Sequence, residues 1–197
     1  ALLRQELQRT YDFEQIIGLS KTIYDIPFGG DHNSWNPVNN NSLYKSYSVD
    51  KFDRKQTNKE EFLEDKRTNF IPEKLTLGIL AEHFELQQKA ITQFLKAVKN
   101  VPLQIFLLAN ENPTSFAAVK NLISKNPHHL VFCMQDHDDQ FRHNFFAVCD
   151  LFYIPPTEEF SDLYYLNGIH YGAVPLISKD SPVAHLFDPI KEKHFAG

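Results

Sequence analysis

The chain has 197 residues, 42% of them hydrophobic and 17 of them Phe, enough apolar material for one large core. Lys and Arg number 20 against 25 Asp and Glu, a net charge of −5, which excludes the broad basic face that a nucleic-acid binder turns to phosphates but leaves room for a local basic pocket. No apolar run reaches the roughly 18 residues of a membrane span, and Cys133 and Cys149, set in "LVFCMQ" and "FFAVCDLFYI", read as small buried hydrophobes of a reducing, cytoplasmic compartment.

The opening "ALLRQELQRTYDFEQ" is charged and helix-like, unlike a signal peptide. The start without Met and the end at "KEKHFAG" suggest a fragment of something longer. Residues 31–60 are rich in Asn, Ser, Asp and Lys and predict a long polar loop or wrapping segment, with the single Trp, Trp35, buried as its anchor. A short helix is expected over 59–67.

From residue 74 the texture alternates. "LTLGIL" (75–80) predicts a buried strand. In "LQQKAITQFLKAVKN" (86–100) Ala90, Ile91, Phe94, Leu95 and Val98 share one helical face. "LQIFLLA" (103–109) is the next strand, and "PTSFAAVKNLISKN" (113–126) a helix with Pro in its first turn. Strands at 130–134, 151–154 and 174–178 and helices at 138–149 and 162–172 complete the series. Apolar strands separated by helices imply an α/β fold: a Rossmann-like parallel sheet with helices on both faces.

The usual phosphate motifs, G-x-G-x-x-G and G-x-x-x-x-G-K-[ST], are missing. Two carboxylates, Glu158 and Glu159, follow the strand 151–154. Ligands of open α/β sheets bind at that edge, and a Glu at a helix start is also stabilised by the helix dipole; both readings stand. "QDHDDQ" (135–140) imitates a D-x-D metal motif but reads as a strand end followed by an acidic helix start capped by Asp138. His128, His129, His137 and His143 lack metal-ligand spacing and read as surface histidines. His170 and Tyr171 are expected to pack the last helix on the sheet, and Tyr164 with Tyr165 to serve core packing or to stack a sugar or base.

Pro155, Pro156, Glu159, Phe160, Ser161, Asp162, Leu163, Leu166, Tyr171, Gly172 and Pro175 stand in the register of P-S-x-x-E-P-C-G-L-x-x-L-x-x-x-x-Y-G-x-x-P. "GGDHNSWNP" (29–37) is similar to G-I-D-x-x-x-W-N-P, and "YSVDKFDRKQTNKEEF" (47–62) to Y-S-x-D followed by K-x-x-N-K. By these motifs the chain resembles bacterial glycogen synthase and plant starch synthase, glycosyltransferases of the two-Rossmann GT-B fold. The resemblance implies three parts: residues 1–30 as the tail of a first GT-B domain and hinge, 31–70 as a polar wrapping segment with a short helix, and 71–197 as a nucleotide-sugar-binding-type domain, incomplete at its C-terminus. The other GT-B domain would belong to the full-length chain.

The resemblance also implies a reaction: glucose passes from ADP-glucose or UDP-glucose to an α-1,4-glucan with retention, with no metal or cofactor. Glu159 would hold sugar hydroxyls. An Arg and a Lys after the first strand would neutralise the departing diphosphate, and amides of the helix start at Ser161, Asp162, Leu163 and Tyr164 would cradle it. The charge-bearing positions differ here. Glu82 stands at the Arg, Gln87 at the Lys and Asp162 at the Gly that lets phosphate approach. Lys89 is a substitute only if the helix shifts register. Later family positions differ too: Asp180, Ser181 and Pro182 replace T-G-G, and Ala109, Asn110, Glu111 and Asn112 replace G-x-G-D. The expectation is a glucosyltransferase domain with weak or absent turnover. The alternatives are a degenerate domain binding protein or glucan, and a GT-B enzyme with a different donor.

Overall fold

A computed structural model describes residues 30–65, 71, 74–81, 83–110, 117, 119, 121, 130–134, 139–156, 163–179, 181 and 183–188. Two compact units are present, Gly30–Ile177 and a second made of Ala1–Gly29 with Ser178–Gly197. The second unit, as far as it is described, contains one short 3-10 turn, Ala184–Leu186.

The larger unit holds five parallel strands: β1 (Leu75–Ala81), β2 (Leu103–Asn110), β3 (Leu130–Met134), β4 (Leu151–Tyr153) and β5 (Val174–Leu176). Their order is β3-β2-β1-β4-β5. Helix α1 (Asp53–Asp65) precedes the sheet, α2 (Phe84–Val98) joins β1 to β2, α3 (Asp139–Val148) joins β3 to β4, and α4 (Leu163–His170) joins β4 to β5. The strands and helices expected from the sequence alternate through these elements, while the helix expected at 113–126 lies almost wholly outside the described residues. The strands pair in register from Leu75 opposite Leu103 to Ala81 opposite Ala109, with β4 pairing the other edge of β1. No helix among the described residues is long and apolar enough to cross a membrane.

Period-two geometry sorts the side chains of β1 and β2 onto two faces. Leu77, Ile79 and Ala81, with Ile105 and Leu107, pack under Ile91 and Leu95 of α2. On the other face Phe106 meets Phe62 of α1, and Phe152 meets Phe146 of α3 and Tyr165 of α4. Gly78 lets α3 come close: a Cβ there would lie 2.4 Å from the Cys149 sulfur and 2.6 Å from Phe145. Cys149 is fully buried as a free thiol, as its apolar setting indicates, and burial pushes it up to about 12.

The expected helix at 59–67 begins six residues earlier, at Asp53. Its buried face is Lys55, Asn58, Lys59, Phe62 and Leu63, a perfect i, i+3, i+4, i+7, i+8 series whose first three members are polar. Apolar periodicity alone cannot reveal that face.

Candidate functional site

The strand order reverses direction between β1 and β4. From β1 the chain moves outward through β2 to β3, and from β4 it moves the other way to β5. In open parallel sheets the crevice outside the carboxyl ends of such a strand pair receives ligands, because the loops leaving the two strands part in opposite directions. Here it lies between Ala81 with His83 on one side and Ile154, Pro155 and Pro156 on the other.

One side chain spans this crevice. Gln87, in the second turn of α2, is 3% exposed. Its Nε2 donates to the Pro155 carbonyl at 2.6 Å, and its Oε1 accepts the His83 amide at 3.2 Å. His83, the N-cap of α2, makes no cap bond of its own side chain. The Gln87 amide therefore caps its own helix and ties that helix to the loop leaving β4. Tyr165 Oη donates to the neighbouring Ile154 carbonyl at 3.3 Å. Both carbonyls at the exit of β4 are thus paired, as buried carbonyls must be.

Lys89 is exposed two residues beyond Gln87, about 200° around the helix at 3.6 residues per turn, so it does not share the buried face of Phe84, Gln87, Ile91 and Leu95. Leu163 and Tyr164 open α4 and are half-buried, and the Arg142 guanidinium lies over the Tyr164 ring, 5.8 Å from its centroid. Glu82, Glu159, Ser161 and Asp162 lie outside the described residues, as do His128, His129, His137 and the stretch 135–138. Among the described residues no group of three or more His, Cys, Asp or Glu is placed to hold a metal.

The wrapping-segment motifs converge at the opposite, N-terminal edge of the sheet. The Lys55 ammonium, 5% exposed, donates to the carbonyls of Phe146 at 3.1 Å, Ala147 at 3.0 Å and Tyr171 at 2.8 Å. These are the last turn of α3 and the residue after α4, so one cation sits at the negative ends of two helices. Burial pushes it down to about 8, leaving it protonated at neutral pH. Asn58 donates to the carbonyls of Lys45 and Arg54 and accepts the Lys45 amide. Lys59 pairs with Asp150 at 2.8 Å, and that carboxylate also accepts the Thr76 amide at the start of β1.

Tyr171 joins this region to the tryptophan. Its hydroxyl meets His143 Nδ1 at 2.8 Å and accepts from Asn40 at 3.0 Å, while Tyr47 donates to its carbonyl at 2.9 Å. Trp35 packs on His143 with centroids 4.2 Å apart and planes tilted by 45°, and meets Phe146 and Tyr171 edge-on. Gly172 follows with φ +67, and a Cβ there would lie 2.6 Å from Phe52. Two sequence expectations are corrected. His143 is buried rather than at the surface, because Trp35 covers it. His170 is exposed and does not pack on the sheet; it meets His32 instead, while Tyr171 beside it is fully buried. The W-N-P, Y-S-x-D, K-x-x-N-K and Y-G motifs gave no sign in sequence that they form one packed assembly.

No family model matches the chain. It is similar to curated glycogen synthases: 21% identical over 192 residues to that of Chlorobium phaeobacteroides, covering 96% of this chain and 39% of that protein. With that of Pseudothermotoga lettingae the identity is 23% over 195 residues, 95% of this chain and 39% of the other. With that of Mannheimia succiniciproducens it is 25% over 201 residues. The chain thus spans about two-fifths of the length of these relatives. In structure it is similar to the catalytic domain of starch synthase IV from Arabidopsis thaliana bound to ADP and acarbose, with a TM-score of 0.75 at 18% identity over 91% of this chain and 38% of the other. It also resembles the C-terminal domain of a group 1 glycosyl transferase from Francisella tularensis, with a TM-score of 0.56 at 14% identity over 82% of this chain and 76% of that one. Along nearly its whole length the chain is thus similar in sequence to part of the glycogen synthases, and its five-stranded parallel sheet shares the fold of the starch synthase catalytic domain over the stretch the two have in common.

Proposed function

We propose that the chain is the donor-side domain of a glycogen-synthase-type glucosyltransferase whose grip on the nucleotide diphosphate is too weak for fast transfer. Its substrates would be ADP-glucose or UDP-glucose and an α-1,4-glucan, acting in the cytoplasm together with a first GT-B domain of the full-length chain. The observation that carries this reading is the Gln87 strut. At the position where the resemblance calls for a phosphate-binding Lys stands a neutral amide, buried, with both ends engaged by Pro155 and His83. A leaving diphosphate needs fixed positive charge or aimed N–H groups as its bond to the sugar breaks; this amide carries no charge and spends an N–H on the Pro155 carbonyl. In the same reading Glu82 and Asp162 add negative charge near the diphosphate, Ser161, Leu163 and Tyr164 supply what remains of its cradle, and Glu159 keeps its place against sugar hydroxyls.

Each charge-assisted hydrogen bond lost is worth roughly 1.5–3 kcal/mol. Two such losses move a micromolar site to about the millimolar range, at about 1.4 kcal/mol per tenfold. The test is calorimetric titration of the full-length chain with ADP, UDP and their glucose conjugates, beside transfer of labelled glucose to glycogen. The expected result is dissociation constants near or above millimolar and transfer barely above a blank. Micromolar ADP or UDP binding overturns the weakened-site reading.

A further inference from the structure

Outside the switch-point crevice, the described residues bring two exposed imidazoles together across 138 positions of sequence. His32 Nδ1 lies 2.9 Å from His170 Nε2. His32 begins the wrapping segment, and His170 ends α4 at the N-terminal edge of the sheet, opposite the crevice. In the motifs above both residues fall at unspecified positions.

A nitrogen–nitrogen separation of 2.9 Å suits two guests. One is a shared proton in an N–H···N hydrogen bond. The other is a cation: two imidazole nitrogens each about 2.0–2.1 Å from one metal ion stand about 2.9 Å apart when they subtend a right angle at it. The ring centroids are 4.5 Å apart and the planes 41° apart. A head-on N–H···N contact would hold the centroids further apart, so the lone pairs are inclined to the line joining the nitrogens, as they are when two ligands aim at one ion. Right-angled ligand pairs belong to tetragonal and octahedral ions, and imidazole is a good ligand for nickel, copper and zinc.

The surroundings agree. Both rings are exposed, so water can complete the coordination shell. The Asp31 carboxylate, beside His32, accepts hydrogen bonds from the Ser34 hydroxyl and from the amides of Ser34 and Asn33, which fix this turn of the chain without making Asp31 a ligand. His170 also stands at the negative end of α4, which favours a cation.

The geometry points to a two-histidine site, His32 Nδ1 with His170 Nε2, for one divalent transition-metal ion. The ion would staple the start of the wrapping segment to the end of α4. It is separate from the proposed glucosyl transfer, and neither reading depends on the other.

The test uses the untagged full-length chain, stripped with a chelator, and NiCl2 as the probe. Calorimetry at neutral pH should find one ion per chain. His32→Ala and His170→Ala should each weaken binding by at least about tenfold, comparable with the loss of a ligand-shell partner. His83→Ala, which removes another exposed imidazole, should not. Saturating Ni2+ should raise the thermal midpoint of the wild-type chain, as a ligand of the native state does, and leave that of His170→Ala unchanged. Failure of the wild-type chain to take up Ni2+, or equal affinity in His32→Ala, overturns the site and leaves the pair holding a proton only.

Discussion

Gln87 Nε2 and the Pro155 carbonyl, 2.6 Å apart, join the helix that leaves β1 to the loop that leaves β4. That bond crosses the one place in the sheet where strand order reverses. It uses an uncharged group at the spot where the resemblance to glycogen synthases calls for a cation, so a local structural demand and an electrostatic one meet at a single side chain.

Gln87→Leu should therefore cost stability. It leaves the Pro155 carbonyl and the His83 amide without their partner, at about 1–3 kcal/mol for a buried unsatisfied group. A fall in the urea midpoint with an unchanged slope checks this. An unaffected midpoint would show that water replaces the amide at no cost.

Restoring charge should restore binding. Glu82→Arg, then Gln87→Lys, then Asp162→Gly, made in sequence in the full-length chain, should tighten ADP binding at each step at low salt. Together they reverse the change of sign at the diphosphate position, where a unit charge pair at 4 Å interacts by about 4 kcal/mol at an effective dielectric of about 20. A flat series of dissociation constants counts against the placement of these residues at the phosphate.

Lys55→Met should be among the most damaging single changes away from the crevice. It leaves three carbonyls, at the ends of two helices, without the cation that fills them. Hydrogen bonds to a charged group are worth about 1.5–3 kcal/mol each, and we expect a loss of about 3 kcal/mol, because relaxation and water recover part of the total. Chemical denaturation measures it, and a loss under about 1 kcal/mol would mean that the carbonyls are readily solvated.

Trp35→Ala should cost about 2 kcal/mol, less than the 3–5 kcal/mol of a fully buried aromatic, since the ring is half-buried. Trp35 is the single Trp of the chain, so its fluorescence reports directly on the contact with His143. Blue-shifted emission that moves red on unfolding is expected. Solvent-exposed emission from the native state would contradict the packing.

Gly78→Ala should destabilise by about 1–3 kcal/mol through overpacking against Cys149 and Phe145. Cys149→Ala in the same chain should recover part of that loss, a positive coupling between touching residues. The Cys149 thiol, buried and pushed up to about 12, should resist a thiol-specific reagent until the protein unfolds.

The sequence by itself determined the alternation of apolar strands and amphipathic helices, because strands buried on both faces of a parallel sheet, such as 75–81 and 103–109, read as continuous apolar runs. It also carried the similarity to glycogen synthases, since residue types at fixed spacing survive where overall identity is low. It did not reveal where α1 begins, because Lys55, Asn58 and Lys59 are buried by hydrogen bonds that distant segments supply, and a polar residue carries no mark of the partner it will meet. It located Gln87 at a site position without showing its role, since the role is a bond to a carbonyl 68 residues away. Only tertiary structure set His143 under Trp35 and His32 against His170. Those meetings depend on how the wrapping segment crosses the helices of the sheet, and long-range register of that kind has no local periodicity to announce it.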